Sequence, residues 1–265
     1  MDYTTLEDPF KYDHNVDKIF SSKFTVVKND KMGTYTIKND RDLCLEFKFK
    51  QTEIKETVLF VLRIHKCGGD ERSGRALITL IDDLAYSIPA VEYIELEDGS
   101  YITICNDKRS WGNIEINLAH LKILTSGLSW YNSFGYKSLS HDANVLHNAR
   151  IINKQMNHLL DEISHNPDLE EETTEVKENA ITLFPELSTD MTVKDYIRGV
   201  LKTLPKDKTG CTAKEINIGV LLNDLVQLLG DQLQYNTQLK KWLNGLLVAT
   251  SANEVESLHA TSRSE

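Results

Sequence analysis

Short apolar segments with a strand-like pattern dominate the first 140 residues of the chain. Leu45, Phe47 and Phe49 alternate with polar or charged neighbours, which is typical of a strand with one buried face. A continuous apolar run over 57–65 indicates a further strand. The predicted strands cover 23–28, 33–38, 44–50, 57–65 and 91–96, and short helices are predicted at 77–88 and 118–124.

After residue 140 the apolar positions recur every three or four residues. The first such series runs from Val145 to Ile163 and predicts one helix of about six turns. Two later series, 193–204 and 218–229, each follow a threonine that has an acidic residue three positions on, the spacing of a capping box. The second series continues past Gly230 to Trp242.

Charge separates the two parts of the chain as well. Residues 1–140 hold 18 basic and 21 acidic side chains, whereas 141–265 hold 12 and 19. Eight acidic residues and one lysine fill 161–178 and predict a solvated linker or loop, and the stretch after 250 is expected to be a frayed tail. We therefore predict an α+β domain over 1–140 and an all-α region over 141–265.

Composition excludes several classes of protein. A chain of 265 residues with 40% hydrophobic and 26% charged residues is typical of one or two globular domains. The net charge of −10 argues against nucleic acid or a membrane surface as the main partner. No apolar run reaches the roughly 18 residues of a membrane span, and the first residues do not resemble a signal peptide, so a cytoplasmic location is expected.

The four cysteines are scattered along the chain at positions 44, 67, 105 and 211. No C-x-x-C pair and no histidine pair at ligand spacing accompanies them. The sequence therefore predicts free structural thiols and no metal site.

A glycine-containing loop connects the strand at 57–65 to the helix at 77–88. The loop includes Gly68, Gly69 and Gly74, and two arginines, Arg72 and Arg75. Backbone N–H groups at a helix start, together with arginine side chains, bind phosphate oxygens well, so a diphosphate is a natural ligand. The alternative is a simple turn with exposed arginines.

A second segment, 127–136, interleaves aromatic residues with Asn, Ser and Gly. It predicts a tight helix end at which Gly135 adopts the left-handed conformation. Aromatic packing into a core is the alternative interpretation.

Taken together and in this order, the two segments resemble motifs of the GNAT superfamily of acyl-CoA-dependent N-acyltransferases. Residues 71–76 (ERSGRA) are similar to its pyrophosphate loop, Q/R-x-x-G-x-G/A, and 131–136 (YNSFGY) match its later motif of a tyrosine, three residues, a glycine and an aromatic. The resemblance covers about 24–138 and is closest to GNAT-like proteins of large DNA viruses that carry a helical C-terminal extension. It implies a mixed, mostly antiparallel sheet flanked by helices.

The resemblance also implies a binding mode for acetyl-CoA. The backbone of 72–76 would hold the diphosphate, and the pantetheine arm would lie between the strands at 57–65 and 91–96. The acyl carbonyl would lie near Leu62 and Ile64. The cofactor-binding residues implied are Arg72, Ser73, Gly74, Arg75, Ala76, Leu62 and Ile64.

Direct transfer from a thioester to an amine needs a neutral amine and a proton for the departing thiolate. The resemblance gives Tyr131 the position of the proton donor. Candidates for the general base are Glu95, Glu97 and His65, each of which has a simple alternative as a surface residue.

Three features depart from the family pattern. Glu71 occupies the first loop position, 98–116 lengthens the gap between the motifs, and Leu124 replaces an asparagine that contacts CoA. The sequence thus favours an N-acetyltransferase that acts on an amine of a small molecule or protein. A catalytically silent GNAT-like binding or assembly component, of viral origin, stays open. For the C-terminal helices, self-association and packing within the chain are both open.

Overall fold

The computed structural model describes residues 3–40, 42–65, 67, 74–104, 114–204 and 212–243. These residues form a mixed α/β structure. The strands are β1 (Tyr3–Thr5), β2 (Thr25–Asn29), β3 (Thr34–Asn39), β4 (Asp42–Thr52), β5 (Thr57–Ile64), β6 (Val91–Glu97), β7 (Tyr101–Ile104), β8 (Ile114–Asn117) and β9 (Gln238–Trp242). The helices are α1 (Asp13–Phe20), α2 (Gly74–Tyr86), α3 (Leu118–Ser126), α4 (His141–Ile152), α5 (Met156–Ser164), α6 (Glu170–Leu183), α7 (Val193–Thr203) and α8 (Ala213–Gly230). In the described ranges, none of these helices has both the length and the apolar character that a membrane crossing requires.

The main sheet has the strand order β2-β3-β4-β5-β6-β9, and β1 pairs with β4. Among the described strands of this sheet, β5 and β6 are parallel and the other neighbouring pairs are antiparallel. Strands β2 to β6 correspond to the five predicted strands, so the prediction of a mixed, mostly antiparallel sheet with helices is confirmed. Strands β7 and β8 form a separate hairpin.

The described chain forms two compact units. The first contains Met1–Glu97, Phe134–Leu139 and Gln238–Glu265. The alternating residues Leu45, Phe47 and Phe49 are buried on the sheet face that α1 covers. Phe20 of α1 lies with its ring centroid 5.9 Å from that of Phe47, and α2 packs against β5 and β6. The predicted alternation thus marks the core of this unit.

The second unit contains Asp98–Ser133 and Ser140–Thr237. Its helices α3 to α8 and the β7–β8 hairpin surround one apolar core. Leu221, Leu222 and Leu225 of α8 are buried in that core. The apolar stripe of α8 is therefore covered by packing within this unit.

This division differs from the predicted boundary at residue 140. Residues 98–133 belong with the later helices, and the all-α prediction is wrong at β9, which lies beside β6 in the sheet of the first unit. Leu239 and Trp242 are three residues apart, which imitates a helical repeat, but in a strand this spacing places them on opposite faces. The predicted tail after 250 lies outside the described residues.

Two predictions about the helices are also wrong. The single helix predicted from Val145 to Ile163 is divided into α4 and α5, because Lys154 and Met156 exchange backbone hydrogen bonds with Val193 and Met191. The predicted acidic linker contains most of α6. Three glutamates in the first turn of α6 interact favourably with the helix dipole, and Val176 is buried on its inner side.

The expectation of free thiols is wrong for two of the four cysteines. Cys44 at the start of β4 and Cys67 after β5 form a disulfide, with their Cα atoms 5.2 Å apart. The sequence offered no spacing signal for this pair, because adjacent antiparallel strands bring the two residues together. Cys105 and Cys211 lie outside the described residues.

Candidate functional site

The two strands predicted to flank the pantetheine arm are parallel neighbours. Their pairing runs from Thr57 opposite Val91 to Val61 opposite Leu96. Strand β5 continues to Ile64 alongside β4. From residue 62 to residue 64, no described strand lies on the β6 side of β5. Ligands commonly bind beyond the carboxyl ends of parallel strands, so this edge is the candidate site.

A β-bulge marks the end of β5. Val61 lies opposite Phe47 and Arg63 lies opposite Glu46, so Leu62 is one extra residue on β5. Bulges are frequent next to active sites because they redirect the backbone and leave a residue without a regular ladder partner. The side chain of Leu62 is 38% exposed. Leu62 and Ile64, the residues predicted to lie near the acyl group, are therefore at the bulge and just after it.

Helix α2 begins within the predicted phosphate loop, three residues before the predicted helix start at 77. Gly74, Arg75 and Ala76 form its first residues, and its first turn contains no acidic side chain. A helix start without acidic side chains favours a nearby anion through the helix dipole. The Arg75 guanidinium lies 5.3 Å from the centre of the Phe134 ring. Arg72 and Ser73 lie outside the described residues, as does Glu71.

Residues 134–136 of the later aromatic motif lie beside α2. The hydroxyl of Tyr136 donates to Asp82 of α2 at 3.0 Å, and Lys241 of β9 forms an ion pair with the same carboxylate at 2.7 Å. Burial raises the pKa of Asp82, and Lys241 and Tyr136 oppose this shift. Gly135 has a φ of 88°, so its predicted left-handed conformation is confirmed. For Tyr136, the interpretation as a packed aromatic residue is the one that these contacts support.

Glu95, a candidate base, lies in a polar cluster on the sheet face opposite α1. It is only 5% exposed. The hydroxyl of Tyr3 donates a hydrogen bond to its carboxylate, and the Lys240 ammonium lies 3.4 Å from the same oxygen. The Tyr93 hydroxyl accepts a hydrogen bond from Lys240 at 3.4 Å. Burial, followed by the hydrogen bond to Glu95, raises the pKa of Tyr3. These contacts hold one carboxylate oxygen of Glu95 between Tyr3 and Lys240.

The other two base candidates are at the surface. Glu97 ends β6 with an exposed side chain, opposite Gln238 of β9. The side chain of His65 is exposed too, while its backbone N–H donates to Cys44 at 2.8 Å. The surface interpretation therefore fits Glu97 and His65 but not Glu95.

Tyr131, the predicted proton donor, belongs to the second unit, where it begins the 3-10 turn Tyr131–Phe134. Ser129 and Asn132 hold this turn, since each side chain accepts a hydrogen bond from the other residue's backbone N–H, at 3.1 and 3.3 Å. Tyr131 is 7% exposed. Burial and the charge of Asp98 raise its pKa, which keeps the phenol protonated at neutral pH.

Asp98 is a buried carboxylate that the sequence did not single out. It is 2% exposed, and it accepts hydrogen bonds from the backbone N–H of Ser100 at 3.2 Å and from the hydroxyl of Tyr235. Burial and Asp98 raise the pKa of Tyr235. Asp98 thus influences two tyrosines within the second unit.

Leu124 explains one departure from the family pattern. It lies on α3 in the apolar core of the second unit, with no exposed surface. An asparagine side chain there would need hydrogen-bond partners inside an apolar core, so leucine suits the position. This residue has a packing role here.

Comparisons with family models, with curated proteins and with solved structures found no match. Within the described ranges, no group of three or more His, Cys, Asp or Glu side chains is placed to hold a metal ion.

Proposed function

We propose that the chain is a GNAT-like N-acetyltransferase that moves an acetyl group from acetyl-CoA to an amine. The observation that carries this proposal is the arrangement at the end of β5. The pairing of the bulged strand β5 with its parallel neighbour β6 ends at Val61. The next helix in the chain, α2, has no acidic residue in its first turn, which favours an anion at its start. The strands and the helix occur in the order that the GNAT resemblance implies.

In this proposal, the unpaired edge of 62–64 binds the pantetheine amides as an added strand would. Its backbone groups have no described strand partner on that side, so hydrogen bonds to a ligand cost no ladder bonds. The N-terminus of α2 and Arg75 bind the diphosphate. In this proposal the acyl carbonyl lies beside the bulge at Leu62, where a backbone N–H would stabilise the developing oxyanion.

Acetyl transfer then needs an amine that attacks the thioester and a donor that protonates the departing thiolate. The Tyr131 phenol keeps its proton at neutral pH, as a donor must before transfer. Glu95 accepts one hydrogen bond, from Tyr3, and the same carboxylate oxygen forms an ion pair with Lys240. In this proposal Glu95 therefore positions these two side chains and is not a free general base.

A catalytically silent protein with the same fold is the second candidate. The ion pair of Glu95 with Lys240 and the low exposure of Tyr131 favour this candidate, because residues with structural roles commonly have such contacts and burial. In this case the chain binds CoA without turnover, or serves as a binding or assembly component.

Thermal unfolding with about 1 mM acetyl-CoA tests the binding site. A dissociation constant of about 10 µM would add roughly 2.7 kcal/mol, or about 5 to 10 °C. Gly74→Glu places a carboxylate where the diphosphate would lie, while a glutamate at a helix start is compatible with the fold. The matched control is Thr79→Glu, an exposed position on the same helix. We expect the shift to vanish only in Gly74→Glu, and a shift that both variants retain would remove this site.

Turnover separates the two candidates. Release of free CoA with a panel of primary amines and polyamines should fall by about 10²-fold or more in Tyr131→Phe if Tyr131 is the proton donor. Binding of acetyl-CoA without CoA release from any amine would favour the silent protein.

A further inference from the structure

Segment 134–136 is anchored on α2, and both belong to the first unit. The side chain of Tyr136 is fully buried, and its hydroxyl donates to Asp82 of α2 at 3.0 Å. Lys241 of β9 forms an ion pair with the same carboxylate, so two contacts meet at one residue of α2. Gly135 turns the chain with a φ of 88°, a conformation that glycine adopts without a steric penalty. The position of this segment along the helix is therefore fixed at Tyr136.

Phe134 brings the same segment to the start of α2. The guanidinium carbon of Arg75 lies 5.3 Å from the centre of the Phe134 ring, within the range of a cation–π interaction. Arg75 and Asp82 are seven residues apart, which is nearly two helical turns, so they lie on one side of α2. Phe134 and Tyr136 therefore contact that side at two successive levels, and Phe134 occupies the level nearer the helix N-terminus.

Arg75 is held by a ring rather than by a carboxylate. Its side chain is exposed, and among the described residues no carboxylate oxygen lies within 4 Å of its guanidinium nitrogens. A cation–π contact uses the charge of a guanidinium and does not require its N–H donors, so these donors can still bind an anion. An arginine loses rotamer freedom when it binds an anion, and one that a ring already restrains loses less.

We propose that Phe134 is a positioning residue of the diphosphate site, whose ring holds the Arg75 guanidinium at the start of α2 for binding to phosphate oxygens. The inference rests on the proposed function, which supplies the ligand, the diphosphate of acetyl-CoA. The family motif names the tyrosine, the glycine and the last aromatic of 131–136, but it leaves the position of Phe134 open. The resemblance therefore does not assign this residue, and its role follows from the contact with Arg75.

The first test compares the acetyl-CoA affinity of the full chain with that of two Phe134 variants by isothermal titration calorimetry. Phe134→Leu keeps an apolar side chain but removes the ring face, and we expect a dissociation constant about two- to five-fold higher. Phe134→Trp is the matched conservative variant, because tryptophan gives the strongest cation–π contact, and it should retain the wild-type affinity. A role confined to apolar packing predicts the opposite order, since leucine is closer to phenylalanine in volume than tryptophan is.

A double-mutant cycle separates action through Arg75 from any other effect of Phe134. Arg75→Gln removes the charge, so Phe134→Leu should cause no further loss of acetyl-CoA affinity in that background. Inorganic pyrophosphate and S-acetylpantetheine represent the two halves of the ligand. We expect Phe134→Leu to weaken pyrophosphate binding by a similar factor and to leave acetylpantetheine binding unchanged.

The results for these ligands separate the role of Phe134 from the proposed function. If acetyl-CoA binds but Phe134→Leu matches the wild type, or loses affinity equally in the Arg75→Gln background, the positioning role is wrong and the proposed function is unaffected. If pyrophosphate binding depends on Phe134 while acetyl-CoA does not bind, the positioning role stands for another diphosphate ligand and the proposed function fails. If neither ligand binds at up to about 1 mM, both are refuted.

Discussion

Replacement of both Cys44 and Cys67 by alanine removes the covalent link between the start of β4 and a residue three positions after β5. The two residues are 23 positions apart. A cross-link closing a loop of this size stabilises the folded state by about 3 kcal/mol, chiefly by restricting the unfolded chain. For a protein of this length, that corresponds to a fall of roughly 6 to 12 °C in melting temperature if unfolding is cooperative. Both side chains are buried, so a small packing loss adds to the effect.

The assay is denaturant-induced unfolding of wild type and the double variant, with and without a dithiol reductant present during unfolding. We expect the variant to unfold at lower denaturant concentration without reductant, and the reductant to move only the wild type toward the variant. Alkylation followed by mass spectrometry identifies the linked pair independently. Equal midpoints of the two proteins without reductant would refute the reasoning, as would labelling of both thiols in the unreduced, unfolded wild type.

Three further changes test other parts of the structure. Asn148→Ala removes two hydrogen bonds of 2.9 Å to the backbone of Gln234 and should lower the free energy of unfolding by about 2 to 3 kcal/mol, and an unchanged free energy of unfolding would contradict a stabilising role for this pair. Gly230→Ala places a methyl carbon 2.3 Å from His120 Nδ1 and should cost about 1 to 3 kcal/mol, which His120→Ala should partly restore. Lys50→Met should raise the melting temperature at pH 7 relative to Lys48→Met, and a gain that grows with pH would contradict this account.

The sign of the Lys50 effect follows from its lowered pKa. Below both pKa values the folded and unfolded states hold the proton, and the folded state bears the penalty of the partly buried charge. As pH rises through the lowered pKa toward the unfolded value, the folded state releases the proton first. The penalty disappears in that window, so the advantage of Lys50→Met should shrink as pH rises from 7 toward 10.5.

Local patterns predicted the parts of the fold that depend on neighbours in sequence. The alternation of Leu45, Phe47 and Phe49 predicted β4 and its buried face, because a strand repeats every two residues. Thr212 and Glu215 form the complete capping box that their spacing predicts. At Thr192 the shorter Asp195 bonds only to the threonine hydroxyl, so that box is incomplete.

The structure differs from the sequence-based predictions where residues far apart in the chain interact. The break between α4 and α5 depends on backbone bonds to 191–193, and no residue within the helical pattern signals it. The partners of Glu95 come from the two ends of the chain, since Tyr3 lies 92 positions before it and Lys240 lies on β9. The candidate base was therefore found from its strand position, but the contacts that restrict it required the sheet register.

We propose that acetyl-CoA binds at the end of β5 and the start of α2. The most direct measurement is amide hydrogen exchange of the full chain with and without acetyl-CoA, read by mass spectrometry at peptide resolution. We predict added protection in peptides covering 62–64 and 74–76, with no change in α6 of the second unit. Protection confined to other segments, or none at acetyl-CoA concentrations up to about 1 mM, would contradict the account.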